Sequence, residues 1–411
     1  MLFSLLLVVR RDVPLWRGIM FPLLAATSLI LSEAGVPGLS HAADWRVQGR
    51  GAISTEYNDN VFLRPENERS AVGVTLSPEI EIGGQSETWN TFLTTRLDFG
   101  RFANEKALDS EDLTVSMNND YRTQLSQWSL DGTFKRLNTV TSEVTDSGIL
   151  DSQATRTEYE LLPSWTYTLS PRNSVFVDGG WNQAFFDTSA LNDFTAYSVS
   201  GGWNHQLSQR DDITLRGLFS HIQNEDVSGN DSDIFGAQIE WHRKFSERLE
   251  TRIAVGPRYT NTDMVRSTGP TTLTDRQSSL GVLVNGSINY DLDQRTALNA
   301  SVSRAVEPSS VGAAVERDRV SLSVRHDLQP LIRLSFLASY IQSRDPNNEN
   351  AIRDRDYFSL RPSIRWEFRR DWFLSGSYRF RTQEFDGESR AYSNAVFVTL
   401  SHDLQPWHFG D

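Results

Sequence analysis

The sequence predicts an all-β fold, a transmembrane antiparallel β-barrel of about 18 strands (16–18) with short periplasmic turns and longer extracellular loops. Three observations predict it. Segment after segment alternates apolar and polar residues with period 2, as a wall between lipid and water requires. Tight and long connectors also alternate. Finally, 11 Trp, 11 Tyr and 22 Phe sit in a chain whose average is polar, with 38% hydrophobic residues. A barrel reconciles the two, because only every second residue meets lipid while aromatics collect at the interfaces.

The chain opens with Arg10, Arg11 and Arg17, an apolar run from Ile19 to Leu31, and small residues ending in "LSHAADW". This pattern predicts a signal peptide over residues 1–42 and a barrel over 43–411. The run is short of the about 18 apolar residues that a spanning helix needs, and no later stretch approaches that length. Beyond residue 42 the chain holds 37 basic and 51 acidic side chains. That surface repels nucleic acid, whose binding depends on Lys and Arg neutralising phosphates. With Cys 0, neither a disulfide framework nor a thiolate metal site can form.

Alternation places strands near 45–56, 71–82, 89–102, 112–123, 127–138, 155–169, 174–186, 194–207, 212–223 and 232–245. Eight more follow near 249–261, 278–291, 296–307, 317–328, 333–344, 355–368, 371–382 and 392–404. In "RDYFSLRPSIRWEF", Phe358, Leu360, Pro362, Ile364, Trp366 and Phe368 share one face, with Ser359, Arg361, Ser363, Arg365 and Glu367 opposite. The next segment repeats this, with Trp372, Leu374, Tyr378 and Phe380 against Ser375, Ser377, Arg379 and Arg381. An even strand number brings both chain ends to the periplasmic rim.

Short connectors recur as "TLSPRN", "QLSQRD", "KFSERL", "DLDQRT", "DLQPLI" and "FRRD". Between them run polar stretches such as "LNTVTSEVTDSGILDSQA" and "NTDMVRSTGPTTLTDRQS", which predict loops. Propellers and solenoids repeat at a similar scale without alternating tight and long connectors in this way. The closing strand, "YSNAVFVTLSHDL", carries Val396, Val398 and Leu400 on one face, and the chain continues through "QPWHFGD".

A barrel this wide encloses an aqueous lumen unless a loop fills it. The faces assigned inward carry Arg252, Arg258, Arg325, Arg361, Arg365, Arg379 and Arg381, with Glu79, Glu81, Asp98, Glu158, Glu160 and Glu240. Acids concentrate in the first half and arginines in the last third, so walls of opposite sign can orient a polar solute. The competing reading is that these charges pair across strands and solvate the lumen. Trp165, Trp181, Trp203, Trp241, Trp366 and Trp372 fall on the apolar face as interface residues, while Phe176, Phe373 and Phe397 fall on the other.

No enzyme is expected. His205, His242, His326 and His402 recur beside the short turns and read as interface chemistry, and His221, beside Ser220, has no well-placed acid. No cofactor is implied. Calcium is disfavoured at "TEYNDNVFLRP", because Leu63 stands where an EF-hand needs its sixth-position Gly.

That stretch, with "EYNDNVFL" ending the first strand and the repeated "Y-x-L-S-x-R" turns, resembles a family of outer-membrane β-barrel porins associated with exopolysaccharide biosynthesis clusters. Asn58, Asp59 and Asn60 are the core of the shared motif. The resemblance implies a barrel in the outer membrane of a Gram-negative bacterium that lets polysaccharide cross. It also implies contact with outer-membrane lipids and lipopolysaccharide, and a periplasmic polysaccharide-export protein as partner. The alternatives are a general or sugar-selective diffusion porin, and a structural barrel anchoring a surface matrix.

Overall fold

A computed structural model describes residues 44–149, 154–224, 230–268, 271–347 and 354–409, without the side chains of 264–268 and 271–275. The expected leader, 1–42, lies outside the described residues. The strands are β1 (Asp44–Asn58), β2 (Ala71–Gln85), β3 (Trp89–Phe102), β4 (Ser110–Arg122), β5 (Ser126–Asn138), β6 (Thr155–Ser170), β7 (Asn173–Phe186), β8 (Phe194–Gln206) and β9 (Asp211–Asn224). They continue as β10 (Asp231–Lys244), β11 (Leu249–Thr268), β12 (Thr271–Asp291), β13 (Thr296–Glu307), β14 (Val315–Gln329), β15 (Ile332–Arg344), β16 (Arg355–Arg369), β17 (Trp372–Phe385), β18 (Ala391–Asp403) and β19 (Trp407–Phe409).

Every neighbouring pair is antiparallel, and β1 pairs with β18 from Arg50↔Asp403 to Asn58↔Ala395, closing an 18-strand barrel. Closure satisfies the backbone polar groups that lipid cannot. The extra strand, β19, prolongs β18 along the lower edge of β1, with Trp45 opposite Phe409 and their rings 6.4 Å apart.

Outward side chains form an apolar belt that includes Ile53, Val74, Val199, Ile239, Ile253, Val282, Val320 and Val398, all exposed. Tyr57, Tyr197, Phe235 and Tyr392 flank it towards the long-loop rim, and Trp128, Trp203, Trp366 and Trp407 towards the short-turn rim. A belt between two aromatic girdles is what a bilayer's hydrocarbon and interfaces require of an outer-membrane barrel. The register also puts Trp165, Trp181, Trp241 and Trp372 on the outward face, and Phe176, Phe373 and Phe397 inward.

One expectation is corrected. "NTDMVRSTGPTTLTDRQS" is not a loop: β11 and β12 pair through it from Thr262↔Gln277 to Thr268↔Thr271. The segment is largely polar, so no apolar alternation marks it. The "LNTVTSEVTDSGILDSQA" stretch contains a helical turn, Thr139–Ser142, capped by the Asn138 side chain accepting from the Val140 N–H.

The wall is also uneven at β12 and β13, whose ladder covers only Val284–Asp291 against Ala297–Arg304. Above it the β13–β14 hairpin leans inward. Its Val306 and Ala314 pack against Ala196, Ile222 and Ile234 of the inner wall.

Candidate functional site

The lumen of an 18-strand barrel is too wide for wall side chains to fill, and here the connectors fill its upper part. Val61, Phe62 and Leu63, after β1, turn inward and bury with Leu108, Val140, Val144, Ile341, Tyr357 and Ala391. Their apolar surface explains why they do not stand in water. Asn60 holds the turn: its Nδ2 donates to the Arg64 carbonyl at 2.7 Å and the Tyr392 carbonyl at 2.8 Å. Asp59 accepts from the Asn394 backbone and side-chain amides, both at 2.7 Å. Among the described residues no cluster of three or more His, Cys, Asp or Glu side chains is arranged to hold a metal ion.

Residues 139–149, between β5 and β6, cross the lumen behind this turn. Their carboxylates are gripped from several strands. Arg156 of β6 donates to Glu143 at 2.9 Å and to Asp146 at 2.7 Å. Arg317 of β14 pairs with Asp146 and, at 3.1 Å, with Glu307. Ser310 and Ser147 each donate to Glu143 at 2.6 Å, and Ser309 to Asp146 at 2.9 Å. On the far wall Arg355 donates to the Asp146 and Val144 carbonyls, and Gln383 to the Gly148 carbonyl at 3.2 Å.

Gly148 has φ 75°, and a Cβ there would overlap the Arg355 guanidinium. Only glycine adopts that conformation while letting the arginine pass. Burial pushes the Asp146 carboxyl up, but Arg317 and Arg156 outweigh it and hold the group below the usual carboxylate range. A buried cluster with every carboxylate matched by a guanidinium resists losing any one member.

The crossing segment separates an outer cavity of about 400 Å³, beside Phe62 and Glu388, from two inner ones. The first inner cavity, about 570 Å³, is walled by Glu158, Glu160, Lys135 and Arg319. The second, about 420 Å³, is walled by Glu56, Asp98, Asp112, Arg379 and Arg381.

By register all thirteen charged candidates fall on the inward face. Several pair with close neighbours: Glu81 with Arg46 at 2.6 Å, Asp98 with Arg96 at 2.9 Å, and Arg252 with Glu250 at 3.0 Å. Glu79 stands 4.0 Å from Arg96, and Glu158 accepts from Asn182 at 2.9 Å. Glu160 and Glu240 share the wall that leads from β6 to β10, and Arg325 lies opposite Ala297 and Ser335.

Arg258 reaches across to Glu316 of the inward-leaning hairpin at 2.9 Å. The arginines of β16 and β17 share one inward face. Arg365 lies 3.8 Å over the Phe373 ring, and Arg361 and Arg379 lie 5.3 and 4.8 Å from the Phe397 ring. The gripping residues Arg156, Arg317 and Arg355, with Glu143 and Asp146, were not singled out by the sequence reading. Its one usable signal was Val140 and Val144, apolar and four apart in a polar loop.

One histidine expectation is corrected. An acid does stand beside His221, since Asp233 lies 2.8 Å from its Nδ1. Both belong to the outward face, however, and Ser220, the next residue, belongs to the inward one. No nucleophile and base meet there.

No family model matches the sequence, and no curated protein matches it, so the family suggested by residues 56–63 has no further support. Among solved structures the chain is similar to OccAB3 of Acinetobacter baumannii, at 10% identity over 88% of this chain and 99% of that one, TM-score 0.41. It is similar to OpdK of Pseudomonas aeruginosa with vanillate, at 10% identity over 88% and 99%, TM-score 0.43. It is also similar to the ferric citrate transporter FecA in the unliganded form, at 9% identity over 83% of this chain and 60% of that one, TM-score 0.46. These are likenesses of barrel architecture.

Proposed function

We propose that the chain is an outer-membrane channel that passes a hydrated acidic saccharide chain from the periplasm to the exterior, closed at rest by residues 139–149. The observation that carries this reading is the arginine and phenylalanine face of β16–β18, in the half of the lumen nearer the short-turn rim. A guanidinium resting on a ring keeps its charge available while its flat faces stay dry. A sugar ring with a carboxylate slides along such a face without one deep well holding it. A periplasmic export protein would deliver the polymer at the short-turn rim.

A second reading, a diffusion porin for small acidic solutes, draws on the two inner cavities, whose 420–570 Å³ suits one or two sugar units. Clean deletion of the gene separates the two. The export reading expects secreted polysaccharide to fall and to return with the native gene but not with an Arg361→Gln, Arg365→Gln double variant. Unchanged export, with lost growth on a dilute acidic sugar, would favour the porin.

A further inference from the structure

Resting on the channel reading above, we propose that the inner cavity below residues 139–149 is a binding site for a saccharide bearing both a carboxylate and an ammonium group. The cavity is about 420 Å³, within the range of small-molecule sites, which run from about 300 to 1,000 Å³. Its β17 wall presents two guanidiniums with too few partners. Arg381 is 4% exposed, yet among the described residues it makes one long hydrogen bond, 3.3 Å to the Ser393 hydroxyl, and its Nε has no partner. Arg379 has Glu56 at 3.3 Å, and its Nε also lacks a partner.

The nearest other carboxylate, Asp59, is already committed to the two Asn394 amides. A buried guanidinium without an anion is costly; Glu56 and the Phe397 ring offset part of that cost for Arg379, while Arg381 has no carboxylate within ion-pair distance among the described residues. Two such groups lining one cavity match the paired oxygens of a carboxylate.

The opposite wall has the complementary deficit. Asp112 of β4 accepts one bond, from the Asn138 backbone N–H at 2.9 Å, and has no ion-pair partner among the described residues. Asp98 beside it is occupied by Arg96 and Ser77. Asp112 therefore remains to take a donor, and a cationic one gains most there. A neutral sugar leaves both walls unmatched, and a purely acidic one leaves Asp112.

Calorimetric titration of the whole purified barrel in detergent tests this with three disaccharides: glucuronate–glucosamine, its N-acetylated form, and neutral cellobiose. The zwitterion should bind at least tenfold more tightly than the N-acetylated form, and cellobiose should give no heat. Asp112→Asn should bring the zwitterion down to the N-acetylated level without changing the latter. Arg381→Gln should weaken both acidic ligands at least tenfold, with unchanged heat-modifiable gel mobility confirming that each variant folds.

Equal affinity for the two acidic ligands in the native barrel overturns the proposal, as does a preference that survives Asp112→Asn. The channel reading fails separately, if a barrel lacking residues 139–149 shows no open level in planar bilayers.

Discussion

Arg156 of β6 stands 2.7 Å from Asp146, tying the segment that crosses the lumen to the wall from which it leaves. Arg317 reaches the same carboxylate from the inward-leaning β14. One acid thus joins the crossing segment to the strand that follows it and to β14, 171 residues away. Asp146→Asn leaves two buried guanidiniums short of a counter-charge, a loss of about 3–5 kcal/mol when one partner of a buried pair is removed. The closed-to-open ratio should fall roughly 10²- to 10⁴-fold, read as a higher open probability in single-channel recordings. An unchanged closed barrel would mean that the apolar contacts of Phe62 and Val144 suffice.

The same carboxylate sets a pH dependence. Its folded value is depressed by Arg317 and Arg156 against the opposing effect of burial. Its contribution is therefore complete above the ordinary Asp value of about 3.9 and is lost as pH falls through the lower folded value. Conductance should stay flat from about pH 8 to 5 and rise only below about pH 4. A rise centred between pH 5 and 7 would assign the switch to another group.

Gly148→Ala should open the lumen without removing a charge. Its φ of 75° disfavours a side chain, and the added Cβ would displace Arg355. Strain at such a position costs on the order of 1–3 kcal/mol. The check is conductance beside global unfolding in urea. Higher conductance with an unchanged unfolding midpoint is expected, because the strain falls on the crossing segment and not on the ladder.

These contacts show which parts of the molecule the sequence could reveal. A wall between lipid and lumen forces alternation, so β3 at Trp89–Phe102 and β13 at Thr296–Glu307 are legible to the residue. The inward face of Arg361 and Arg381 follows from the same period. Glu143 and Asp146 obey no period, since each is placed by arginines from strands more than ten residues away. The projecting ends of β11 and β12 are equally silent, because their residues are largely polar and carry no alternation. Trp407 and Phe409 pair with β1 from the other end of the chain, a closure that no local window contains.

Phe62→Ala tests the apolar half of the closure. Phe62 is 3% exposed, and truncating a buried Phe costs about 3–5 kcal/mol. The turn should loosen while the barrel stays folded, so trypsin should cut after Arg69 in intact cells many times faster than in the native protein. Asp59→Ala with Asn60→Ala should loosen the same turn by removing its bonds to Arg64, Tyr392 and Asn394. Added calcium should protect neither variant nor the native chain, and protection by calcium would restore the metal reading.

The two faces of one strand give the last test. Val398 faces outward in the apolar belt, while Thr399 faces inward, its hydroxyl 2.8 Å from that of Ser54. An arginine on the lipid face near the bilayer centre costs about 2–4 kcal/mol. On the lumen face it meets water, and Thr399→Arg loses only the Ser54 bond, worth about 1 kcal/mol. Urea titration of folding into vesicles should therefore rank Val398→Arg as less stable than Thr399→Arg. The reverse order would turn the barrel inside out, placing the arginines of β16 and β17 against lipid, where unpaired charges would not survive.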